Sequence, residues 1–61
     1  MYYGYCVRHK DFGDISCNRG YVSWEAAMEY AKSDVMYVIN KCNYNGVACS
    51  ERDFNIEIFI E

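Results

Sequence analysis

The sequence predicts a small α+β domain of β-α-β-β order, a largely antiparallel sheet with one helix packed on one face. Three observations carry that expectation: an alternating β-prone segment at the start, a capped amphipathic segment beginning at Ser23, and an Asn45-Gly46 pair flanked by alternating residues. Residues 1–61 are expected to form one small domain, since 61 residues are too few for two.

From Tyr2 to His9, Tyr3, Tyr5 and Val7 alternate with Gly4, Cys6 and Arg8, which predicts a strand. Lys10 to Gly20 is rich in turn formers, with at most a short strand near Ile15–Cys17 or Tyr21–Val22. Ser23 is placed as a helix N-cap, with Glu25 at the positive end of the dipole. Trp24, Ala27, Met28 and Ala31 then share one face at helical spacing. Two continuations are open. The apolar pattern can run on through Val35, Val38 and Cys42 as one helix, or Val35–Ile39 can be a strand. Asn45-Gly46 favours the strand, because it is a strong two-residue hairpin signal. That turn would set Tyr37 opposite Phe54 and Val35 opposite Ile56. It would also sort Phe54, Ile56, Ile58 and Ile60 from Asp53, Asn55 and Glu57 onto opposite faces. Strand order is left open.

Composition narrows function by exclusion. The chain is 52% hydrophobic and has no proline, so it is not a disordered segment. No apolar run approaches the roughly 20 residues of a membrane span, and the first residues lack the plan of a signal peptide; the expectation is a cytoplasmic protein without membrane contact. A net charge of −3 argues against direct nucleic-acid binding through phosphate neutralisation. A chain this size hides about 60% of its unfolded surface, roughly 6,000 Å², so apolar burial contributes on the order of 90 kcal/mol. Ordering the 61 residues at about 1.5 kcal/mol each costs about the same, so self-association, a partner or a crosslink would help.

The four cysteines, at 6, 17, 42 and 49, include no Cys-x-x-Cys pair. Cys6 and His9 have a Cys-x-x-His spacing, but on a strand these positions point to opposite faces, so no metal and no cofactor is expected. The Asn45-Gly46 hairpin would place Cys42 and Cys49 across from each other, within disulfide range; a reducing cytosol would leave them as thiols. His9 is the single histidine, there is no phosphate-binding glycine loop, and no carboxylates are set for acid–base work. The expectation is a non-enzyme.

Two surface features remain. Eleven aromatic residues exceed what one small core encloses, and Tyr2, Tyr30 and Phe59 fall on polar faces. Tyrosines are enriched at interfaces. Glu51, Asp53, Glu57 and Glu61 fall on one strand face, about 6.6 Å apart per two-residue step, a row suited to a basic groove. Together Tyr2, Tyr30, Glu51, Asp53, Glu57, Phe59 and Glu61 form the expected partner-binding set.

In its short β-α-β-β plan, the helix opening Ser23-Trp24-Glu25-Ala26-Ala27 and its acidic, aromatic surface, the chain resembles small phage-encoded inhibitors of host defences, anti-CRISPR proteins among them. The likeness spans the whole chain and lies in its plan. Those inhibitors share no common sequence, so no functional residue is carried over. The resemblance implies a non-enzymatic inhibitor of a nucleic-acid-processing host complex. The alternatives are a homodimeric regulatory or antitoxin-like module and, third, a stacking sheet for single-stranded nucleic acid, which lacks its basic groove.

Overall fold

The computed structural model describes residues 1–61. Strands β1 (Tyr3–His9) and β2 (Gly13–Tyr21) form a hairpin, and helix α1 (Trp24–Tyr44) follows after two residues. A 3-10 turn (Glu51–Asp53) then leads into β3 (Phe54–Ile60). The strands pair antiparallel in the order β2-β1-β3, and α1 lies across one face. The α+β class and the one-sided helix are as expected; the element order is β-β-α-β.

β1 is central, paired with β2 on one side and β3 on the other. Tyr5, Val7 and His9 point under the helix and are buried, and β3 adds Phe54, Ile56 and Ile58 beside them. The helix answers with Ala27, Ala31, Val35 and Ile39, buried at four-residue steps. The two alanines let the helix axis come close to the sheet. Twenty-one residues make a helix of about 31 Å. Seven-residue strands span about 23 Å. The helix outruns the sheet, and the molecule measures 41 × 17 × 15 Å.

The strand expected at Val35–Ile39 is not formed, nor is the pairing of Tyr37 with Phe54. The apolar stripe from Ala27 continues unbroken through Val35 and Ile39, so one helix buries all of it, and Tyr37 is 64% exposed. Asn45-Gly46 is a helix end instead of a hairpin turn. Asn45 has φ −89°, whereas the hairpin turn needs positive φ at both residues. Gly46 has φ 77° and donates to the Asn43 carbonyl at 3.1 Å, while Val47 donates to the Cys42 carbonyl at 2.8 Å. That pair of bonds is a Schellman cap, which satisfies the orphan carbonyls of the last turn.

β2 is longer than the short strand considered for this stretch. It reads poorly because Ser16 and Asn18, which oppose Val7 and Tyr5, are polar residues turned toward the helix. They are satisfied there. The Tyr5 hydroxyl donates to the Asp34 carboxylate, Ser16 Oγ donates to the same oxygen at 2.9 Å, and Asn18 Nδ2 donates to the Tyr5 hydroxyl at 2.9 Å. Burial first, and the Asp34 carboxylate second, push the Tyr5 phenol up to about 12.

Candidate functional site

Ser23 caps α1 as expected, its Oγ accepting from the Ala26 amide at 3.1 Å. The cap brings the helix start to the end of the sheet where β1 begins and β3 finishes, because only Val22 and Ser23 separate β2 from α1. Large apolar side chains collect at this end. Val22 is 76% exposed, Tyr2 54% and Trp24 48%, with Met1 and Tyr30 also open to solvent. Trp24 belongs to the same helix stripe as Ala27 and Ala31 but lies in the first turn, beyond the cover the sheet gives them. Tyr30 leans on Tyr21 of β2 at 5.0 Å between ring centroids, and Tyr21 in turn meets buried Tyr5 at 5.6 Å. A series of tilted aromatic rings thus runs from the core to this surface.

The expected binding set is divided by the fold. Tyr2, Phe59 and Glu61 do come together at the same end, on or beside the outer face of the sheet, whereas Tyr30 lies on the helix layer against Tyr21. Glu61 donates its backbone N–H to the Tyr2 carbonyl at 2.9 Å. Phe59 packs within the sheet itself, its ring covering Gly4, where an added Cβ would sit 2.5 Å from the ring. Glu51 and Asp53 are not on the strand; they form the 3-10 turn at the opposite end. The Asp53 carboxylate accepts from the Ser50 amide at 3.1 Å and pairs with Lys10 at 3.2 Å, and both contacts hold it below the usual carboxylate range. Only Glu57 and Glu61 remain of the acidic row. Each has an arginine nearby: Arg8 approaches Glu57 at 3.8 Å and Asp14 at 2.8 Å, and Arg19 approaches Glu61 at 3.9 Å. The outer face of the sheet is therefore a mixed-charge surface, not a continuous acidic one.

The cysteines also settle differently. Cys6 and Cys17 oppose each other across β1 and β2, with Cα atoms 4.2 Å apart, and are joined as a disulfide on the outer face. Cys42 lies near the end of α1 and Cys49 in the loop after it, both free and half-buried. No strand pairing relates them, because the hairpin that would have done so is absent. They are still neighbours, and the Cys42 thiol beside it, followed by burial, pushes the Cys49 thiol up.

His9 is buried at the far end of β1 between Phe12, stacked at 4.2 Å, and Phe54, edge-on at 4.9 Å. Its Nδ1 accepts from the Asp11 and Phe12 amides at 3.0 and 3.3 Å, which closes the β1–β2 turn. With Nδ1 accepting, the ring hydrogen is on Nε2, 3.9 Å from Cys49 Sγ. This Cys–His approach was invisible in a sequence that separates the two by 40 positions. Its chemistry is weak. The upward shift of the Cys49 thiol disfavours the thiolate, and the His9 lone pair that would take its proton is engaged by two amides.

The largest cavity, 310 Å³, opens between α1 and β3 and is lined by Lys32, Val35, Glu51, Phe54 and Ile56. No helix is long and apolar enough to cross a membrane. No protein-family model, curated protein or solved structure matches this chain.

Proposed function

We propose that this chain is a non-enzymatic protein-binding module that acts as an inhibitor, occupying a surface of a nucleic-acid-processing partner. One observation carries the reading: Met1, Tyr2, Val22 and Trp24 are each exposed, and the chain order sets all four at the end where β1 begins and α1 starts, with exposed Tyr30 about two turns further along the helix. Exposed apolar side chains scattered singly need no explanation, whereas a contiguous group marks a contact surface. Tyrosine and tryptophan anchors supply large contact area at low entropic cost. The other exposed aromatics are Phe12, stacked on His9 at the far end of the sheet, and Tyr37 and Tyr44, strung along the helix with Asn40 and Lys41 between them.

The partner fitting this surface has an apolar pocket with a basic rim. Glu25 and Glu61 flank the apolar end, and the chain carries a net charge of −3. Blocking a site by occupancy requires no chemistry from this chain. A cytoplasmic setting is part of the proposal and makes the Cys6–Cys17 bond conditional. Disulfides are rare in a reducing cytosol, so there the two residues stand as opposed thiols.

The test is a paired substitution, Tyr2→Ser with Val22→Asp. Both side chains are exposed, so the melting curve should move little, within about 0.5 kcal/mol for such positions. Retention of the partner captured by the unmodified chain should fall at least tenfold. Undiminished retention by a folded double variant contradicts the reading.

A further inference from the structure

We propose that the free edge of β3 is a self-association surface, on which a second copy of this chain pairs antiparallel about a two-fold axis at Ile58. The two edges of the sheet differ. β2 breaks register with β1 at Tyr3/Gly4 and again at Val7/Arg8, and Gly13 and Gly20 there adopt φ of 79° and 91°. Bulges of this kind twist an edge away from further pairing. β3 has no such break: it runs from Phe54 to Ile60 in continuous register with β1 and carries no proline or lysine. A regular, apolar edge is a template for another strand.

The backbone polar groups available on that edge can be named. Glu61 donates to Tyr2 at 2.9 Å and Lys10 donates to Asp53 at 3.0 Å, so residues 53 and 61 turn their amides and carbonyls toward β1. By the two-residue alternation, 55, 57 and 59 do the same. Phe54, Ile56, Ile58 and Ile60 therefore point theirs outward, with no partner strand in the monomer.

Self-complementarity selects a second copy as the occupant. With Ile58 facing its counterpart, Ile56 faces the second copy's Ile60, and every inward position on both strands is apolar. Ile60, 60% exposed in the monomer, is then covered. The cavity between α1 and β3 is lined by Phe54 and Ile56, so the second copy's Ile60 arrives at its mouth. Each copy presents a projecting isoleucine at one end of β3 and an open cavity toward the other, which is what an isologous two-fold contact requires. On the outer face, Glu57 meets Phe59 and Asn55 meets Glu61, an amide against a carboxylate. Moving the axis to Glu57 would set that carboxylate against its own copy, and like charges directly opposite are unfavourable. The Ile58 axis avoids this.

Sedimentation of the purified chain from micromolar to millimolar concentration tests the proposal. Two variants accompany it: chemically synthesised chain with an N-methyl group on the Ile58 amide, and Ile60→Lys. The amide points away from β1 and Ile60 is exposed, so circular dichroism of both monomers should match the unmodified chain. A reversible dimer is expected, weakened about tenfold or more by either change, because the two-fold doubles each loss. In a half-labelled sample, a contact between Glu57 Hα and Phe59 Hα of different copies should mark the register. A monomer throughout the range, or a dimer that both variants leave untouched, overturns the proposal. The Tyr2→Ser with Val22→Asp chain should dimerise normally, so failure here is distinguishable from failure of the partner-binding reading.

Discussion

Tyr5 is the residue on which three elements meet. Its ring fills the core from β1, and its hydroxyl joins Asp34 of α1 to Asn18 of β2. Tyr5→Phe keeps the ring but leaves the Asp34 and Asn18 groups short of a partner, which should cost about 1–3 kcal/mol in chemical denaturation. A pH consequence follows from the raised phenol. An unfolded chain ionises this tyrosine near pH 10, while the folded one holds its proton to about 12. Between those values the unfolded state binds fewer protons, so stability is intact below pH 10 and falls as pH rises, by about 2–3 kcal/mol in all. Denaturation midpoints should decline over that window in the unmodified chain and decline less in Tyr5→Phe. On the other side of β1, Gly4 admits no side chain. A Cβ there would meet the Phe59 ring at 2.5 Å and the Asn18 carbonyl at 2.9 Å. Gly4→Ala should lower the melting temperature markedly, and Phe59→Ala in the same chain should recover only part of it, since the carbonyl contact remains.

At the scale of elements, the end of α1 is where sequence and structure part. Asn45-Gly46 is read as a hairpin turn because the same glycine serves two purposes, and only long-range pairing decides between them. In the structure Gly46 supplies the left-handed residue of the helix cap. Gly46→Ala should cost about 1 kcal/mol, and amide exchange should accelerate at Val47, bonded to Cys42, while Val7 stays protected. β1, the Ser23 cap, the Ala27–Ala31 face and the inward set of β3 were legible, since each is a local pattern with one dominant period. β2 was not, because Ser16 and Asn18 interrupt its apolar inward residues Ile15 and Tyr21 and are satisfied only by Tyr5 and Asp34, far away in the chain. The acidic residues show the same limit. Glu57 and Glu61 fall where alternation puts them, but Asp53 is drawn into a turn by Ser50 and Lys10. The arginines beside Glu57 and Glu61 come from β1 and β2, which no single segment reveals.

The whole molecule is one helix over one small sheet, with six hydrophobic residues buried and an apolar surface at one end. With so modest a core, the Cys6–Cys17 crosslink matters to the balance. Reducing it should lower stability by up to about 3 kcal/mol, read as a shift in denaturation midpoint between oxidised and reduced samples. Both surfaces proposed for contact, the end around Val22 and the edge of β3, follow from this shortage of cover. The partner-binding end is the central claim, and a crosslinking map tests it most directly. A photoreactive residue is placed in turn at Tyr2, Val22, Tyr44 and Glu51, and the chain is irradiated in the cell that makes it. The account predicts one heterologous protein joined at positions 2 and 22 and not at 44 or 51. Adducts confined to Tyr44 or Glu51, with none at Tyr2 or Val22, would contradict it.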